Sequence, residues 1–125
     1  MDRRSTLKAL FIISAGAALI PSCLQQDKKS SISLKNIKID NGDENLLSEL
    51  SETIIPKTNT PGAKDVKASA FALMMLDDCY APADQDKFVK GMKEFDEFSK
   101  KKLNKSFVDC SATERLSVLK LIDDK

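Results

Sequence analysis

The chain has 125 residues, 20 basic against 19 acidic side chains, and only four glycines and four prolines. That length holds one small domain, and a charge balance this close to zero leaves no basic field for binding nucleic acid. Histidine is absent, which removes the commonest metal ligand, the usual general base and any histidine-ligated haem. No C-x-x-C-H haem-attachment motif and no G-x-G-x-x-G dinucleotide motif occurs. Leucine, lysine and alanine are common, so the expected class is all-α: a small bundle of about four helices behind a signal peptide and a polar tether.

Residues 1–22 read as an export signal. Arg3, Arg4 and Lys8 make a basic start, and 9–20 is an apolar run broken only by Ser14 and Gly16. As a helix that run would rise ~18 Å, short of the ~30 Å of a bilayer core, which favours a cleaved signal over a single-pass anchor. Arg3-Arg4 with Leu7-Lys8 matches part of a twin-arginine signal. Asp2 and Thr6 depart from the pattern and leave the ordinary secretory route open. Ile20, Ser22 and Cys23 form a lipobox, with Pro21 unusual inside it, and make Cys23 the lipidation site. The alternative is a cut near Ala15-Gly16-Ala17 that leaves Cys23 a free thiol. Three basic residues and one acidic residue lie in 1–22, so the remainder carries 17 basic and 18 acidic side chains.

Residues 23–42 are polar and read as a tether. Ile32, Leu34, Ile37 and Ile39 alternate partly, which allows a short edge strand, but a linker with scattered apolar residues is preferred. A first helix is expected over 43–55, capped by Asp43 or Asn41, with Leu46, Leu47, Leu50, Ile54 and Ile55 on one face. Pro56 ends it, and 57–63 has loop chemistry. A second helix, 64–80, carries Val66, Ala70, Phe71, Met74, Met75 and Leu76. So apolar a helix is expected at the centre of the bundle, with the Met74-Met75 pair as core filler rather than a metal or haem ligand.

After a turn at 81–84, a third helix is expected over 84–103, with Phe88, Met92, Phe95 and Ser99 in one stripe and Lys100, Lys101 and Lys102 complementing its C-terminal dipole. Ser111 and Glu114 form a capping box that opens a fourth helix, whose inner face is Leu116, Leu119 and Ile122, with Val118 as a further candidate. Phe107 is expected to fold over its N-terminal end. Asp77, Asp78, Asp84 and Asp86 gather at a helix boundary, where an exposed turn is a better home for them than a catalytic pocket. Cys79 and Cys110 are separated by a helix that carries the chain about 28 Å, too far for a disulfide unless the loop after it doubles back.

Several of these residues together resemble a known family. They are Leu47-Ser48-Glu49-Leu50-Ser51-Glu52-Thr53-Ile54-Ile55-Pro56-Lys57-Thr58, then Thr60-Pro61-Gly62-Ala63, Leu76-Asp77-Asp78-Cys79-Tyr80 and Phe88-Val89-Lys90-Gly91-Met92. The order resembles gluconate 2-dehydrogenase subunit 3, the small subunit of membrane-associated sugar and polyol dehydrogenases. The resemblance implies a non-catalytic domain over 43–125 that escorts and anchors a partner on the periplasmic side of the cell envelope. It implies FAD on a flavoprotein subunit of the glucose–methanol–choline type and haem c on a cytochrome subunit. It assigns this chain no catalytic, cofactor-binding or metal residue. The family usually continues past its fourth helix, so a chain ending at Lys125 reads as a truncated member or a fragment. Pro56, Thr58, Pro61 and Gly62 are candidate partner contacts, or else a purely structural turn. The competing reading is a free-standing helical lipoprotein of the envelope with a binding or structural role.

Overall fold

The computed structural model describes residues 29–124. Arg3, Arg4, Leu7 and Lys8, expected to form an export signal, and the lipidation candidate Cys23 lie outside the described residues. The described chain is all-α: α1 (Asn41–Ile54), α2 (Ala68–Cys79), α3 (Pro82–Leu103), a short 3-10 turn (Phe107–Asp109) and α4 (Ala112–Asp123).

Each helix begins where local chemistry can satisfy its free N–H groups. α1 is capped by Asp40, one residue before Asn41 and three before Asp43, the two caps expected from the sequence. The Asp40 carboxylate accepts from Asp43 N–H and the Asp43 carboxylate accepts from Asp40 N–H. This is a capping box in which aspartate replaces the usual glutamate. α3 begins at Pro82, a turn position in the sequence reading. Proline's fixed φ and missing N–H suit the first helical residue, so the helix starts there and not at Asp84. α4 has the expected box, with Ser111 and Glu114 satisfying each other's backbone.

The second helix differs most from expectation. It begins at Ala68, four residues late, because Lys67 takes a left-handed conformation with φ 53°. Residues 64–67 are turn, closed by Ala68 N–H donating to Ala63 O. α2 is also not wrapped by the bundle. Leu73 and Leu76 are buried, but Phe71, Met74 and Met75 are exposed, so the methionine pair is not core filler. The apolar faces of α1 and α4 are narrower than expected too: Ile54, Ile55, Leu116 and Ile122 are exposed.

The core is Leu46 and Leu47 of α1, Leu73 of α2, Met92 of α3, Phe107 of the 3-10 turn and Val118 of α4. The expected α3 stripe is present, with Met92 and Ser99 buried and Phe88 and Phe95 packed against the cluster. Phe107 is fully buried and meets Phe95 edge-on, ring centroids 4.9 Å apart. Its backbone is held from two sides. Asp96 accepts from Phe107 N–H, and Arg115 Nε donates to Phe107 O. The same guanidinium donates through Nη2 to Val108 O and through Nη1 to Glu49, so one side chain joins α1, the 3-10 turn and α4.

The stretch read as a linker is docked on the helices from residue 30 onward. It forms no strand; Lys29 and Asp40 make a single antiparallel bridge. Ile37 is buried, and Ile32, Leu34 and Ile39 pack on the core cluster. Both Cys79 and Cys110 are free thiols, the first exposed and the second buried.

Replacing neighbours on α2 separates its two sides. Leu73→Ala should cost about 2–5 kcal/mol by leaving a cavity, whereas Met74→Ala should stay within about 0.5 kcal/mol. Urea denaturation of the two variants checks this. Equal losses would show that the outward side is also packed.

Candidate functional site

The residues singled out between α1 and α2 form a loop wound around one carboxylate. Glu52, on the last turn of α1, accepts from Lys57 N–H through Oε1 and from Lys64 N–H through Oε2. Ile55 O accepts from Ala63 N–H, which brings the far end of the loop back to the helix that launched it. Pro56, Thr58 and Pro61 are exposed at the loop's outer edge, where Thr58 Oγ1 lies 3.2 Å from Thr60 Oγ1. Gly62 is different: it is buried, and its N–H donates to Asp65. A Cβ at Gly62 would lie 2.6 Å from Lys57 N and press on the Glu52 carboxylate. Its φ is not positive, so glycine is needed here for closeness of approach, not for left-handed geometry. The loop is therefore structural at Gly62 and available for contact at Pro56, Thr58 and Pro61.

A second carboxylate sets the other end of α2. Asp77, expected in an exposed turn, is buried at 4% exposure. Its Oδ2 accepts from Lys35 N–H at 2.7 Å, and its Oδ1 accepts from Asn36 and Ile37 N–H, each at 2.8 Å. Asn36 Nδ2 completes the clasp by donating to Asp77 O. Burial alone would raise the Asp77 pKa, but the three backbone donors hold it below the ordinary 3.8. Gln85 Nε2 lies 3.1 Å from each of Leu76 O, Asp77 O and Tyr80 O and closes the C-terminal end of α2. The other acids of that group, Asp78, Asp84 and Asp86, are exposed as expected.

The remaining partly buried acids are also engaged by the domain's own groups. Burial tends to raise the Glu49 pKa, but hydrogen bonding to Lys64 and the charges of Arg115 and Lys64 bring it down. In Asp96 the same burial effect is outweighed by Phe107 N–H, Ser106 Oγ and Lys100. Among the described residues no group of three or more His, Cys, Asp or Glu could hold a metal ion. No described helix is long and apolar enough to cross a membrane. An apolar groove of about 270 Å³ runs between α1 and α3, with Leu47 and Leu50 on one side and Phe88, Gly91 and Phe95 on the other. That volume lies below the ~300–1,000 Å³ of small-molecule sites, and almost no polar group lines it to orient a ligand.

The feature that sequence reasoning missed is the outer side of α2. Phe71 is 65% exposed, Met74 51% and Met75 41%. A helix apolar on both sides is consistent with burial in the core and also with one side left for another chain. The discriminating residue is Asp77. A polar side chain in step with Leu73 and Leu76, at i+4 and i+1, marks the side turned toward the domain's own backbone.

A family model, Gluconate 2-dehydrogenase subunit 3, matches residues 41–125, from the first residue of α1 onward. The chain belongs to this family. Membership places this subunit-3 chain among the accessory components of a dehydrogenase complex. No match was found among curated proteins or among solved structures.

Two outcomes follow from this geometry. Gly62→Ala should destabilise this subunit by about 1–3 kcal/mol, since backbone and carboxylate must both give way; thermal melting measures the loss, and an unchanged midpoint would contradict the close approach. Asp77 has a folded pKa below its unfolded one, so the stability it contributes is present in full above pH 3.8 and is lost as pH falls through the lower folded value. Amide exchange at Lys35, Asn36 and Ile37 should therefore be slow at neutral pH. It should quicken in Asp77→Asn, which presents N–H groups where acceptors are needed, and stay unchanged in Asp78→Asn.

Proposed function

We propose that this chain is the small, non-catalytic subunit of an exported sugar or polyol dehydrogenase. In this reading it accompanies a flavoprotein of the glucose–methanol–choline type, which carries FAD and oxidises the substrate, while a cytochrome subunit carrying haem c takes the electrons. Arg3, Arg4, Leu7 and Lys8 export the chain together with its folded partner through the twin-arginine route. Lipid on Cys23 then holds the pair on the periplasmic side of the membrane. A thioether-linked lipid with more than one acyl chain gives stable anchoring, whereas a single chain holds only marginally.

The observation that carries this reading is the family match from Asn41 to the end of the chain. The chemistry of the domain supports it. Glu49, Asp77 and Asp96, three of its partly buried or buried carboxylates, are each held by backbone N–H groups, lysines or an arginine of the same chain. All three are held in the ionised form by those partners. A general acid or base at neutral pH requires the opposite, a pKa moved toward 7.

The test is export of the partner. Replacing Arg3 and Arg4 with lysine should leave the flavoprotein in the cytoplasm, measured by flavin content and dehydrogenase activity of fractionated cells. Normal export of the flavoprotein in that variant would overturn the escort role. Cys23→Ser should move the chain from the membrane to the soluble periplasmic fraction, and retention on the membrane would overturn the anchor.

A further inference from the structure

Residues 30–39 form no helix, yet they are held on the bundle at several points. Ser30 Oγ and Ser31 N–H donate to the Glu44 carboxylate in the first turn of α1, at 3.3 and 2.9 Å. Lys35, Asn36 and Ile37 N–H donate to Asp77 near the end of α2. Ile37 is buried, and Ile32, Leu34 and Ile39 pack on the core cluster. The stretch is a strap tied to both α1 and α2, and it lies before Asn41, where the family match begins. Ordering it costs conformational entropy that a free linker would keep. Docking also shortens the chain left between the domain and Cys23. An extended chain spans at most ~3.6 Å per residue, so the seven residues from Cys23 to Ser30 reach about 25 Å. With the strap undone, the seventeen residues from Cys23 to Asp40 would reach about 60 Å. A domain of this size is roughly 30 Å across. The docked strap therefore leaves a leash shorter than the domain is wide.

The leash enters at one end of α1. Glu44 receives Ser30 and Ser31 there, and Lys29 bridges to the cap Asp40. The loop bearing exposed Pro56, Thr58 and Pro61 follows the other end of this 14-residue helix, ~20 Å away. We propose that the strap sets the reach of the domain from a phospholipid surface: docked, it keeps the start of α1 within about 25 Å of the lipid on Cys23 and the Thr58 loop within about 45 Å. The inference rests on the lipid-anchor reading and adds to it the element that fixes the height of the domain. A short leash raises the local concentration of the domain at the bilayer, where other membrane-held chains meet it.

The test uses the full lipidated chain, purified in detergent from its own host and returned to phosphatidylcholine vesicles with an acceptor dye on the headgroups. A donor dye is carried by Thr58→Cys in a Cys79→Ser background, since Thr58 and Cys79 are exposed and Cys110 is buried. This labelled parent should transfer energy strongly to the headgroups. Ile37→Asp puts an unpartnered charge at a buried position of the strap. It should lower transfer roughly twofold or more, with helical circular dichroism unchanged because no helix contains Ile37. An insertion of about ten Gly-Ser residues after Gln26 adds about the same length with the strap still docked, and should lower transfer to a similar extent. Transfer that falls with the insertion but not with Ile37→Asp would overturn the strap as the element that sets reach. Transfer unchanged by the insertion would overturn it too, since the domain would then be held down by its own surface. A labelled parent that does not stay on the vesicles would overturn the lipid anchor, and the role of the strap with it.

Discussion

The arrangement of this domain depends on one buried carboxylate. Asp77 accepts three consecutive backbone N–H groups from residues 35–37, and a charged group can be buried at little cost only with such partners. Meeting them fixes the rotation of α2 about its own axis. Leu73 and Leu76 are carried inward with Asp77, and Phe71, Met74 and Met75 are carried outward. A rotation of half a turn would bury Phe71, Met74 and Met75 and expose Leu73 and Leu76. It would also leave Asp77 in water and three N–H groups of the N-terminal segment without acceptors. The outward apolar side is thus a consequence of how the chain preceding α1 is held.

The same economy runs through the rest of the domain. Glu52 ties both ends of the α1–α2 loop, Asp96 and Arg115 fix the 3-10 turn around Phe107, and Gln85 closes the C-terminal end of α2. Glu52, Asp96 and Arg115 each join a helix to an irregular segment through its backbone, and Gln85 joins α3 to the end of α2. Among the described residues no buried side-chain N or O atom lacks a hydrogen-bond partner. A small core made of one or two residues from each element needs such ties, because apolar burial alone stabilises so short a chain only marginally.

Periodicity and capping signals made much of this legible in the sequence. The four helices, the Ser111–Glu114 box and the Phe88, Met92, Phe95 and Ser99 stripe all depend on local patterns that a single chain displays. The family, too, was legible, since the run from Leu47 to Ala63 joins a helix end, a proline and a Pro-Gly turn at an uncommon spacing. What was not legible depends on partners far along the chain. Asp77 looks like one of four surface acids until residues 35–37 are brought to it from 40 positions away. Met74 and Met75 look like core until Asp77 decides the rotation of their helix. The tether looked polar because only every second or third residue of 30–40 touches the core. As for the candidate contacts, Gly62 was picked for its turn chemistry, and only the closeness of Glu52 and Lys57 N shows that its role lies inside the loop.

If Asp77 sets the rotation of α2, removing its carboxylate gives the most direct evidence. An NMR structure of Asp77→Leu should show residues 35–37 released from α2 and Phe71, Met74 and Met75 less exposed than in the parent chain. A structure in which residues 35–37 and those three side chains stay where they are would contradict the account.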